Sequence, residues 1–187
     1  NTTYLAGNQF GVGLLNSNLS IDWISLRDTA VALVSYLSDT LWAASYNGNL
    51  YYLKNKKLIK RASVKDFPRH LARLDDGRFI ISTRNGVKII SGASVKTISK
   101  YSDLSIKQAF CSFIYNNKIF LGTEGGLAIL ENDSVKRARI NGKEINRAIY
   151  SIINGKDGLW FGTDNGVYLI RDTSLTHFDE NSGLMGW

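Results

Sequence analysis

The chain has 187 residues, 44% hydrophobic and 11% aromatic, so it is too apolar for disorder and long enough to bury a sizeable core. One cysteine, Cys111, and two histidines, His70 and His177, exclude a disulfide framework and any cysteine- or histidine-rich metal site. The net charge of +7 is unevenly placed, residues 41–78 holding nine Lys or Arg against three Asp, and no run approaches the roughly 18 consecutive apolar residues of a membrane helix.

Short β-type segments follow one another along the whole chain. It opens on Tyr4–Gly7 and a partner hinged on Gly11. Ala30–Tyr36 reads as a strand apolar on both faces, followed by the turn Ser38-Asp39 and the line LWAASYNGNLYYL from Leu41. His70–Leu74 leads through Asp75-Asp76-Gly77 into FIISTRNGVKII from Phe79. Ala109–Tyr115 leads through Asn116-Asn117 into IFLGTEGGLAIL from Ile119. Arg147–Ile153 leads through Lys156-Asp157-Gly158 into LWFGTDNGVYLI from Leu159, and the alternating strand Ser174–Phe178 completes that repeat. No apolar pattern of helical period occurs, so the chain reads as all-β.

The hinge glycines Gly11, Gly48, Gly86, Gly126 and Gly166 are spaced by 37, 38, 40 and 40 residues. That period, with four short strands and tight Asn/Asp/Gly turns per unit, predicts β-propeller blades of four antiparallel strands. The repeats fall at about 1–29, 30–69, 70–108, 109–146 and 147–187, giving about five blades, the first without its inner strand. The chain therefore reads as a partial propeller belonging to a larger one, and its first residue, Asn1, suggests a processed or excerpted sequence. Open strand edges make self-association an expectation. Ala44, Ser82, Gly122 and Gly162 share one register, expected where neighbouring sheets approach closely, with Trp42 and Trp160 two positions earlier as inter-blade core.

The segment LWFGTDNGVYLI, with Phe178 and Asn181-Ser182-Gly183-Leu184 after it, resembles the two-component regulator propeller repeat. Gly158, Leu159, Trp160, Gly162, Thr163, Gly166 and Val167 match that motif; Gly122-Thr123 and Gly126-Leu127 match it with Phe120 in place of tryptophan. Gly86 and Gly48 match only the hinge, since Ser82-Thr83 and Ala44-Ser45 stand where the Gly-Thr pair belongs. The resemblance implies the extracytoplasmic, periplasmic sensor region of a hybrid two-component system protein. Such a region senses glycan fragments, is tethered to the inner membrane, and relays to a histidine kinase outside this chain.

Local catalytic chemistry is sparse. Cys111 lies in an apolar strand, where an inert thiol is expected, and the carboxylates Asp39, Asp75, Asp76, Asp157 and Asp164 sit at turns that they cap themselves. Gly11-Val12-Gly13 opens no helix and so is no dinucleotide loop. The basic run KNKKLIKR lacks interleaved aromatics, so it reads as edge protection and not as a nucleic-acid surface. No cofactor and no metal are expected.

A ligand site is expected on the face where the turns between second and third strands meet the loops leading into each first strand. The candidates there are Arg69, His70, Arg84, Tyr101, Glu124, Asn146, Arg147 and Asp164, with Tyr46-Asn47, Asn85 and Phe67 beside them. Arg, Asn, carboxylate and aromatic groups together suit sugar hydroxyls and carboxylates. The expected function is non-catalytic oligosaccharide sensing. A protein-interaction propeller, docking through loops or the basic edge at 54–65, is the alternative, and a propeller glycan hydrolase or lyase the third.

Overall fold

The computed structural model describes residues 3–5, 7, 9, 11–26, 30–98, 100–102 and 108–184, with side chains except at 3–5 and 100–102. The chain divides into two compact units, residues 1–97 and 98–187.

The first unit holds three antiparallel sheets. The first consists of β1 (Thr3–Leu5), β2 (Val12–Leu15) and β3 (Ile21–Ile24), in that order. The second is a four-stranded meander of β4 (Val31–Leu37), β5 (Thr40–Ser45), β6 (Asn49–Lys54) and β7 (Lys57–Ser63). The third repeats it with β8 (Pro68–Arg73), β9 (Phe79–Thr83), β10 (Gly86–Ser91) and β11 (Ser94–Thr97).

The second unit holds two sheets. One runs β12 (Lys100–Ser102), β16 (Ser134–Arg137), β15 (Gly126–Glu131), β14 (Lys118–Thr123), β13 (Ala109–Tyr115). The other is β17 (Ile149–Gly155), β18 (Gly158–Thr163), β19 (Gly166–Arg171) and β20 (Ser174–Phe178). Four antiparallel strands per blade is thus the rule, with one addition. β12, in the segment before β13, lies parallel to β16 and closes that sheet's outer edge. Among the described residues the only helical element is a 3-10 turn at Glu180–Ser182.

Tight turns follow from local chemistry. Ser38-Asp39, Asn116-Asn117 and Asn132-Asp133 all have positive φ at both positions, the conformation that matches a two-residue hairpin to strand twist and that Asn and Asp tolerate. The hinge glycines answer to a second demand. A Cβ at Gly126 would lie 1.9 Å from the Ile145 carbonyl oxygen, and one at Gly166 would lie 2.2 Å from that of Phe178. Each hinge is therefore pressed against the chain leaving its own fourth strand, and only glycine fits.

The cores lie between consecutive sheets. In the first unit Val12, Val31 and Leu41 pack together, and Leu50, Leu71, Ile81 and Ile90 form a second cluster. In the second unit Leu127, Ile149 and Phe161 anchor the core. The first strands of neighbouring sheets touch, β4 with β8 and β13 with β17. That position buries Val31 of β4, Leu71 and Ala72 of β8, Ala109 of β13 and Ile149 of β17. Trp42 packs 4.4 Å from Phe79 of the next sheet, whereas Trp160 stacks at 5.6 Å on Phe178 of its own.

Candidate functional site

In every four-stranded blade the residue following the second strand donates its backbone N–H to the loop that leads into the first. Tyr46 bonds the Ala30 carbonyl at 3.0 Å, Arg84 that of Phe67 at 3.1 Å, Glu124 that of Gln108 at 3.2 Å and Asp164 that of Ala148 at 3.3 Å. Hinge and lead-in are thereby held on one side of each blade. A hydroxyl locks the hinge itself: Thr83, Thr123 and Thr163 lie 2.9, 2.6 and 2.8 Å from the carbonyls of Gly86, Gly126 and Gly166. Ser45 takes the same place, accepting from Asn49 N at 3.1 Å.

The first strands share another device. Each carries one unpaired bulge residue near its start, Ala32, Arg69, Phe110 and Tyr150 in turn. A bulge bends the strand and re-aims the side chain that it carries. In the second unit Phe110 and Tyr150 meet at 4.9 Å between ring centroids, Tyr150 being 53% exposed.

The first unit assembles a cleft of about 460 Å³ from these parts, lined by Tyr46, Asn47, Asp66, Phe67, Arg84 and Asn85 among others. Tyr46 is 55% exposed and meets Phe67 edge-on at 5.1 Å. The Arg84 guanidinium stands 5.1 Å from the centroid of the same Phe67 ring, a cation–π distance. Asp66 organises the cleft from beneath. It accepts from Phe67 N at 2.7 Å, the Thr83 hydroxyl at 2.7 Å, Asn85 N at 3.3 Å and Asn85 Nδ2 at 3.1 Å. Lys88 lies 3.5 Å away and also donates to the Val64 carbonyl at 2.6 Å. Burial opposes ionisation of Asp66, but the hydrogen bonds from Thr83 and Phe67, the Lys88 charge and the Asn85 N–H outweigh it and hold the carboxyl below its ordinary range.

In the second unit Arg137 spans the corresponding loops. It donates to the Gly125 carbonyl at 3.0 Å and to the Asn146 side-chain oxygen, and lies 3.5 Å from Glu144, which also takes a 2.8 Å bond from Arg139. Glu124 accepts from Gln108 N and Nε2, both at 3.3 Å.

The eight candidate residues separate accordingly. Arg84 lies in the first-unit cleft, Arg69 is the half-buried bulge residue of β8, and His70 follows it, its pKa lowered by burial. Glu124, exposed Asp164, Asn146 and exposed Arg147 occupy hinge and lead-in positions of the second unit. Tyr101 lies elsewhere: its backbone belongs to β12, paired with Val135 at the outer edge of the sheet, and not to a lead-in loop. Asp66 and Arg137 join these sites without a sequence motif to mark them. A single acid just before Phe67-Pro68 in a basic stretch was the one available signal for Asp66. The Cys111 thiol is pushed up to about 12 by burial, which removes it as a nucleophile near neutrality. Among the described residues no group of His, Cys, Asp and Glu has the proximity to hold a metal ion.

No family model matches the chain, and no curated protein sequence does. Solved structures do match. The extracellular domain of one hybrid two-component system protein from B. thetaiotaomicron superposes with a TM-score of 0.72 at 21% identity, covering 98% of this chain and 27% of that one. A second such domain from the same organism gives 0.73 at 20% identity, over 95% and 27%. Virginiamycin B lyase from Staphylococcus aureus gives 0.71 at 13%, over 96% and 74%. The fold is that of β-propeller blades. The chain spans about a quarter of the length of the two-component system domains it matches.

Proposed function

We propose that the chain is a ligand-sensing propeller segment of an extracytoplasmic two-component regulator, binding an oligosaccharide without chemical turnover and relaying to a kinase outside it. The observation that carries the reading is the first-unit cleft, where an exposed Tyr46, the Phe67 ring, Arg84 and Asn85 converge. Aromatic faces take the C–H surface of a sugar ring, while Arg and Asn donors take hydroxyls and carboxylates in fixed directions. The extracellular two-component system domains with similar blades support the same reading, as does the resemblance of the Gly158–Val167 segment to the two-component regulator propeller repeat.

The test is calorimetric titration of the chain with a panel of neutral and uronic-acid oligosaccharides. Binding by at least one glycan is expected, weakened about tenfold or more, about 1.4 kcal/mol, by Tyr46→Ala and by Arg84→Ala. Unchanged affinity in both variants would remove the cleft from the site. Release of shortened or unsaturated products from the panel would replace sensing by hydrolysis or lyase chemistry.

A further inference from the structure

The last strand of the first sheet, β3, has no strand on its outer side among the described residues. A groove of about 860 Å³ runs along it, with Ile21 to Ser25 forming one wall and Lys56-Lys57-Leu58 the other. Ile21 and Trp23 are 40% and 49% exposed on this strand. The Trp23 ring covers Gly13 on the neighbouring strand, where a Cβ would sit 3.3 Å from it, and so presents a flat apolar surface.

The other fourth strands are defended. β7 is bulged opposite Leu50 and Tyr51 and exposes Lys57, Lys60 and Arg61; β11 is Ser-Val-Lys-Thr; β20 is mostly polar. The edge of β16 is already taken, and its occupant shows what such an edge accepts: the three extended residues of β12, paired Lys100 with Ser134 through Ser102 with Lys136. Among the described residues β3 is the fourth strand that is apolar, grooved and open.

We propose that the β3 edge docks an extended acidic peptide segment, which adds to the first sheet as a further strand and sets its carboxylates against Lys56 and Lys57. Backbone pairing along the edge gives affinity, and the groove wall gives specificity. Asp22 is the sole acid in the lining, and neither lysine is ion-paired among the described residues. Lys56 also sits at φ +58° in the Asn55-Lys56 turn, a place where Gly or Asn costs less, so the turn keeps an ammonium there against backbone preference. A second copy of this chain is a poorer occupant, since each copy carries +7. Nucleic acid matches the charge but has no peptide groups to pair with a strand edge.

The experiment uses a fluorescent, end-blocked peptide of three Glu-Val repeats and its Lys-Val counterpart, titrated against the chain and followed by anisotropy and by amide exchange. The Glu-Val peptide is expected to bind, to protect amides along Ile21–Ser25, and to weaken about tenfold or more in the Lys56→Glu, Lys57→Glu double variant. No binding, equal binding of the Lys-Val peptide, or binding without protection at β3 overturns the proposal. Concentration-dependent protection of β3 without peptide also overturns it, assigning the edge to a second copy. Glycan binding should be unaffected by the double variant, so the outcome is separable from that of the cleft.

Discussion

Replacing Asp66 by alanine tests whether the cleft is held by one buried carboxylate. Its side chain is 4% exposed and that of Lys88 12%. Alanine removes the acceptor for Phe67 N, Asn85 N and Asn85 Nδ2 and leaves the Lys88 ammonium, among the described residues, with the Val64 carbonyl alone. Breaking a buried pair from one side costs about 3–5 kcal/mol, because the surviving charge stays desolvated. For a chain of this size that lowers Tm by about 6–20 °C. Urea and thermal melts followed by circular dichroism measure it. Adding Lys88→Met should recover much of the loss, since no unpaired charge then remains. The acid limb gives a second readout. The unfolded carboxyl, with an ordinary value of 3.8, takes up its proton at higher pH than the folded one. The stabilisation from Asp66 is therefore complete above that value and is lost as pH falls through the lower folded one, and Asp66→Asn should flatten this limb. A cost below about 1 kcal/mol for Asp66→Ala, or no recovery in the double variant, would refute the hub.

Two further predictions concern the second unit. A methyl at Gly122 would lie 2.4 Å from Cys111 Sγ and 2.6 Å from the Ile149 carbonyl oxygen, which cannot step aside, so Gly122→Ala should cost about 1–3 kcal/mol. Gly162→Ala, at the same register, meets only the exposed Ser151 hydroxyl at 2.5 Å and should cost little; equal urea midpoints for the two variants would contradict the close approach of β14 to β17. The Cys111 thiol should resist aromatic disulfide reagents at pH 8 until the chain unfolds. Because burial raises it from 9.0 to about 12, the unfolded chain loses its proton first, and stability should be full below pH 9 and fall as pH rises beyond it. Rapid labelling of the folded chain would show the thiol to be accessible.

The blades were legible because their causes are local. Asn, Asp and Gly at fixed offsets determine turns, and the residues around Ala109–Tyr115 declare a strand apolar on both faces. The register of small residues was legible for the same reason, and Gly122 meets the next sheet as that register implies. The site was less so. Nothing in the chain near Lys100 announces that Lys100–Ser102 pairs with a strand more than thirty residues on, so the sequence around Tyr101 reads as a lead-in loop. The bulges were invisible too, since a bulge is a mismatch of two strands and neither strand carries it alone. Asp66 gathers Thr83 and Asn85 from 17 and 19 residues away, a constellation that only the pairing of hinge with lead-in creates.

The repeat and the proposed recognition surface occupy complementary positions within each blade. The hinge N–H to lead-in carbonyl bond, the hydroxyl across the hinge and the bulge recur from blade to blade, and they use backbone, Thr or Ser, and Gly. Between them lie the two residues at the hinge tip: Tyr46-Asn47, Arg84-Asn85, Glu124-Gly125 and Asp164-Asn165. These differ in charge and size while the scaffold beneath them does not. The bonds that recur from blade to blade do not involve the tip side chains, whose own contacts, such as Asn85 with Asp66 and Glu124 with Gln108, differ between blades, so chemical selectivity can be altered one blade at a time without loss of fold. It follows that exchanging Arg84-Asn85 for the Asp164-Asn165 pair should leave stability nearly unchanged while reversing the charge presented at the cleft, because the Asp66 carboxylate meets an asparagine at the second position in either pair.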